Sequence, residues 1–137
     1  MPFLSLSGQA RHLGLKSNKL APCPDSPNCV CSDDPQTSRW CEPFRLLVDP
    51  EKSWSELESL IVADKAARIA TNTGDYLHAE YTSAIFGFVD DLELHLRPDE
   101  RIIAVRSASR LGYSDLGVNR ARVERLRTAL REKGITS

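Results

Sequence analysis

A single α+β domain, a curved antiparallel sheet of four or five strands with two helices on one face, is the fold that the 137 residues predict. Three observations predict it. One stretch near residue 55 and another near residue 125 repeat apolar residues at helical spacing. Between them, from about Ala67 to Arg110, apolar and polar residues alternate with period two. The breaks inside that alternating stretch are short, and short connections join antiparallel neighbours. The resulting element order is β-α-β4-α. A chain of this length fits one domain and can bury about 65–70% of its extended surface, so neither a metal nor a disulfide is obligatory.

Residues 1–45 show no convincing period and hold six of the eight prolines, which predicts an irregular arm. The expected organisation is an arm over residues 1–20 and one domain over 21–137. "FRLLV" at 44–48 suits a short strand. The next helix is expected over Ser53–Ala63, with Ser53 as cap, Glu56 completing a capping box, and Trp54, Leu57, Leu60 and Ile61 on one side. Four strands follow, "RIATNT", "YLHAEYTSAIF", "FVDDLELHLR" and "RIIAVRSASR". Alternation places Leu77, Ala79, Tyr81, Ser83 and Ile85, then Leu92, Leu94 and Leu96, then Ile103, Val105, Ser107 and Ser109 on the helix-covered face. His78, Glu80, Thr82, Asp91, Glu93, His95, Arg106 and Arg110 fall on the other, expected to be a polar outer face. The last helix is expected over Val118–Lys133, capped by Asn119 or Asp115, with Val123, Leu126 and Leu130 inward and Gly134 ending it.

A net charge of −1 gives no global attraction to phosphate backbones, so nucleic acid is not an expected partner. No run of 18 apolar residues exists, so no transmembrane segment is expected. The start lacks the pattern of a secretory signal, and with Met1 as the start the expected compartment is the cytoplasm. Charge is segregated: residues 74–100 carry seven acids against Arg97, and from Arg101 onward there are nine bases against three acids. The two segments either neutralise each other across the fold or leave a local anion site.

"RSASRLGYSDLGVNRARVERLR" at 106–127 leaves the sheet through two glycines and enters a helix rich in arginine. Free amides at a helix start, with Arg110, Arg120 or Arg122, suit a carboxylate or phosphate. The glycines match neither nucleotide-binding pattern. Cys23, Cys29, Cys31 and Cys41 have a C-x5-C-x-C-x9-C spacing that misses the zinc rule, leaving a Cys23–Cys29 disulfide, a metal, or small buried hydrophobes as readings. His78 and Glu80, near Glu93 or His95, are the candidates for acid–base chemistry. "AIFGFV" at 84–89 puts Phe86 and Phe88 at a hairpin tip, either folded back or exposed as a contact.

These stretches, with "CPDSPNCV", "HAE" and "FGFVDDLE", resemble the family catalogued as domain of unknown function 1499, from about Leu20 to Leu130. The resemblance implies no reaction, substrate or cofactor. It does favour a Cys23–Cys29 pair over a four-cysteine metal site, and its exported or membrane-linked members make periplasm or lumen the alternative compartment.

The function expected from the sequence is therefore a non-enzymatic module that binds a small anion or an acidic partner segment. Arg106, Arg110, Asn119, Arg120 and Arg122 are its ligand-binding candidates, and Ser107, Ser109, Asp115, Cys23 and Cys29 have structural roles. No cofactor and no metal are expected. The alternatives are a cofactor-independent enzyme using His78 and Glu80 with arginine as stabiliser, and an assembly protein using the Phe86–Phe88 tip.

Overall fold

The computed structural model describes residues 13–25, 28–83, 87–111 and 117–137. Two short strands, β1 (Leu15–Lys16) and β2 (Lys19–Leu20), form a hairpin. Then come β3 (Cys29–Cys31), β4 (Phe44–Arg45), helix α1 (Pro50–Val62), β5 (Ala67–Asn72), β6 (Tyr76–Thr82), β7 (Val89–Arg97), a single 3-10 turn, β8 (Ile102–Ser109) and helix α2 (Val118–Glu132). The main sheet runs β3-β8-β7-β6-β5, with β4 also paired to β8, and every pairing is antiparallel. The α+β class and the helices on one face are as the sequence predicts, while β3 lies in a stretch read as irregular. Three residues rich in cysteine and proline neighbours carry too little alternation to announce a strand; β3 exists because it completes the ladder of β8.

Both helices pack on the face built by Leu77, Ala79 and Tyr81 of β6, Leu92, Leu94 and Leu96 of β7, and Ile103 and Val105 of β8. Helix α1 contributes Trp54, Leu57 and Ile61, and α2 contributes Val123 and Leu130. Helix α1 starts one turn earlier than the Ser53 cap predicts. Asp49 is the cap, its carboxylate accepting from the Lys52 amide at 2.9 Å, and Pro50 occupies the first helical position, where its missing N–H costs nothing. Ser53 instead lies buried inside the first turn and donates to the Asp49 carbonyl. At the other end of the fold Gly134, at φ 72°, closes α2: its amide donates to the Arg131 carbonyl and that of Ile135 to Leu130. That pair of bonds is a Schellman closure, and it turns Ile135 back onto the core.

The second face of the sheet is not wet. Residues 14–25 lie against it, with Leu20 and Cys23 packed on Cys29 and Cys31 of β3 and on Ala104 and Ala108 of β8. As a result β7 is buried from Val89 to Leu96. The expectation of a solvated polar face is corrected accordingly: His78, Asp91, Glu93, His95 and Arg106 are all buried.

Candidate functional site

Polar side chains on the helix-covered side close a network beneath α2. The start of α2 is Gly117, in the left-handed region at φ 82°, with no side-chain cap. Asn119, expected as a cap, is inside the helix and fully buried. Its Oδ1 accepts from the Ser107 hydroxyl at 2.7 Å and from Arg122 at 2.8 Å, and its Nδ2 donates to Ser109 Oγ at 2.8 Å and to the Asn28 carbonyl at 3.1 Å. Arg122 continues the chain to Asp90 at 2.8 Å and lies over the Tyr81 ring, 4.6 Å from its centroid. A strand that brings serines into the core requires such partners, since an unpaired buried hydroxyl costs about 1–3 kcal/mol. Asp115 and Phe86 lie outside the described residues; Phe88 is 42% exposed.

Across the sheet, Arg110 is gripped by two carboxylates. Its Nε and Nη2 each donate to Asp91 at 2.8 Å, and Nη2 also reaches Glu80 at 2.7 Å. Burial acts to raise the Asp91 carboxyl, but its bonds to Arg110 and His78 outweigh that and hold it below the ordinary aspartate range. Glu80 is likewise held low, first by Arg110 and then by Arg68. His78 Nε2 meets Asp91 Oδ1 at 2.6 Å and, facing a carboxylate, carries the proton there. Arg106, 2% exposed, reaches Glu93 at 3.3 Å, and its buried Nε has no partner. Glu93 also accepts from Tyr76 Oη at 2.5 Å and the Gly14 amide at 2.8 Å. Metal-ligating atoms of His78, Glu80 and Asp91 come within 4.8 Å of one another, but the same carboxylates hold Arg110, so a cation there would face a guanidinium.

Cys23 and Cys29 are joined by a disulfide that pins the arm to β3. Cys31 and Cys41 are free thiols, buried, and burial pushes them up to about 12 and about 11. Neither is a nucleophile at neutral pH.

Among the sequence-selected arginines, Arg120 lines a cleft. The cleft, about 370 Å³, lies between α2, residues 40–45 and the segment at Ser137. Arg120, Glu124, Arg127 and Arg131 recur along α2 at spacings of four, three and four, which puts them on one side of the helix. Arg45 enters from β4, and Trp40, Cys41 and Pro43 complete the wall. Four guanidiniums thus meet the carboxylates of Glu42 and Glu124 and the main-chain end at Ser137, which takes Arg131. Arg127 is committed to Glu124 and to the carbonyls of Glu42 and Pro43, over the Phe44 ring. Arg120 donates to the Trp40 and Ser38 carbonyls at 3.2 and 3.4 Å, Arg131 to the Ser137 carbonyl at 3.4 Å, and Arg45 is 3.5 Å from Glu42.

Of the sequence candidates, the fold brings Arg106, Arg110, His78 and Glu80 to the second face, Asn119 and Arg122 with Ser107 and Ser109 under α2, and Arg120 to the cleft. Sequence reasoning missed Arg45, Arg127, Arg131 and Trp40. The helical stripe of 120, 124, 127 and 131 was available as a signal, whereas nothing local tied residues 40–45 to it.

No curated protein and no solved structure matches the chain. A family model does, over residues 19–130, and it spans the sheet and nearly all of α2. The chain belongs to the family described as protein of unknown function (DUF1499).

Proposed function

We propose that the protein is a non-enzymatic module that binds a small anion in the cleft between α2 and residues 40–45. The observation that carries this reading is the excess of guanidinium over carboxylate around a concave space, with donors on Arg120, Arg131 and Arg45 unspent. A guanidinium has five N–H groups in a fork that suits carboxylate and phosphate, and Arg120 uses two of them. The volume falls in the range of small-molecule sites, about 300–1,000 Å³, which favours a small anion over a partner segment. Arg106, Arg110 and Arg122 serve the other purpose that the charge segregation allows: they neutralise the acids of residues 74–100 inside the fold.

The enzyme reading draws on the His78–Asp91 bond. Glu80, its other member, is occupied by Arg68 and Arg110, and neither His78 nor Glu80 lines the cleft.

The test is thermal unfolding with phosphate, sulfate or succinate against chloride at matched ionic strength. Millimolar anion is expected to raise Tm by the mass-action relation, with the rise lost in Arg120→Ala/Arg131→Ala and kept in Arg125→Ala. No rise, or a rise that the double variant retains, overturns the proposal.

A further inference from the structure

We infer that the Cys23–Cys29 disulfide is a redox latch: a dithiol reductant opens it in the folded protein, and residues 14–25 then lift from the second face of the sheet and bare the ion pair of Glu93 and Arg106. The latch is independent of the anion cleft beside α2.

Apart from that bond the arm is lightly held. Among the described residues, the helix-covered core draws nothing from 14–25, while the second cluster draws Leu20 and Cys23. Polar anchors on the body include the amides of Gly14 on Glu93 at 2.8 Å, Leu20 on Asp33 at 2.9 Å and Cys23 on Asp34 at 2.6 Å. A backbone amide that leaves a carboxylate for water is paired again, so such anchors hold only while the chain is kept in place. Cys23 stands between Pro22 and Pro24, which have no N–H to add. A segment with few apolar contacts opens without unfolding the rest.

What the arm covers is charge. Strand β2 lies over β7 and β8, where Glu93 and Arg106 are buried. Glu93 accepts from Tyr76 and Arg106 of the sheet and from Gly14 of the arm. Arg106 Nε is buried with no partner. Lifting the arm returns that donor to water, which offsets part of the contact that is lost. The covered state thus desolvates ionic groups beneath a segment that supplies little apolar surface, and the disulfide is the bond that fixes the segment there.

Placement also sets the sulfur chemistry. Cys29 is 2% exposed within β3, whereas Cys23, 6% exposed, lies between the exposed Pro22 and Pro24. The reductant's thiolate attacks Cys23 Sγ, the bond to Cys29 breaks, and Cys29 leaves as a thiolate that takes up a proton. The reductant's second thiol then displaces Cys23 from the mixed disulfide, so that the reductant departs as a disulfide and the protein has gained two electrons and two protons. Cys31, two residues from Cys29 on the same strand, does not reshuffle the bond: burial pushes its thiol up to about 12, and it stays protonated.

The experiment treats the native protein and Cys23→Ser/Cys29→Ser with dithiothreitol and reads free thiols, amide hydrogen exchange and carbodiimide coupling of an amine to Glu93. Dithiothreitol is expected to raise the free thiols of the native protein from two to four while its circular dichroism stays folded. Amides of residues 14–25 should then exchange near the rate of an unfolded chain while those of β8, α1 and α2 stay protected, and Glu93, silent in the oxidised protein, should couple. The double variant should behave as the reduced protein does, with or without dithiothreitol. A disulfide that dithiothreitol opens only once the protein unfolds overturns the latch. Protection of the arm that survives reduction, or a Glu93 that remains silent, overturns it as well and makes the bond a static staple. Loss of protection in α1 and α2 together with the arm also overturns it, because reduction would then unfold the whole domain.

Discussion

Replacing Arg110 with alanine removes three charge-assisted hydrogen bonds, two to Asp91 and one to Glu80. Treated as a surface cation, Arg110 would be worth within about 1 kcal/mol. The structure places it otherwise, with its side chain 12% exposed and that of Asp91 5% exposed. Stranding one member of a buried pair costs about 3–5 kcal/mol. Asp91 keeps its bond to His78, and Glu80 retains Arg68 and more water, so the expected loss lies at the lower end of that range, about 3 kcal/mol. With a urea dependence of about 2 kcal/mol per molar, the midpoint should fall by about 1.5 M. Urea unfolding followed by circular dichroism measures it. The decisive companion is Arg110→Ala/Asp91→Asn, which removes the stranded charge and should recover at least about 1 kcal/mol of the loss. A midpoint shift under about 0.5 M, or no recovery in the double variant, would refute the argument that the carboxylate depends on this guanidinium.

Asn119→Ala removes the amide that joins Ser107, Ser109 and Arg122, and should cost about 2–4 kcal/mol in the same urea assay; a loss under about 1 kcal/mol would show that the network is not structural. His95 is pushed below the ordinary histidine range by burial and by Arg97, and its Nδ1 accepts from Arg97 Nε at 3.0 Å, so the folded state holds it neutral. The unfolded chain binds the proton first, so stability is complete above about pH 6.5 and declines as pH falls through the window beneath it; His95→Gln should flatten that part of the profile. Asp33, Glu80 and Asp91 have depressed carboxyls, so their contribution is complete above about pH 4.5 and is lost as pH falls below that. Opening the Cys23–Cys29 disulfide frees a loop of about seven residues in the unfolded chain and should lower stability by about 2 kcal/mol, with no further effect of reductant on Cys23→Ser/Cys29→Ser.

The alternating run from residue 67 to 110 announced the sheet because period two survives in β6, β7 and β8 whatever covers them. It assigned the faces of β7 correctly, since Leu92, Leu94 and Leu96 meet the helices, but it carried β6 too far: Ser83, expected inward, is exposed just past the strand's end, and Ile85 lies outside the described residues. It could not announce that the other face is also covered, because a charged residue on an alternating strand looks the same whether its partner is water or an arginine. Arg110 shows this: its partners stand 19 and 30 positions away. Asn119 misled for a related reason. Its amide suits a helix cap, and only the packing of β8 beneath α2 gives it better partners. Arg120 was legible as a cation but not as part of a cleft, because Trp40 and Arg45 reach it through the tertiary fold.

Strand β7 is enclosed on both sides over eight consecutive positions, Val89–Leu96. In a half-covered strand, tolerance to substitution rises and falls with every second residue. Here both parities should be intolerant, but to opposite replacements. Leu92 and Leu94 should accept other apolar residues and reject charge, whereas Asp91 and Glu93 should reject apolar residues as well, because Arg110 and Arg106 would lose their counter-charges. A saturation scan of this strand would therefore show an unbroken band of sensitivity, with alternation visible only in which residues survive.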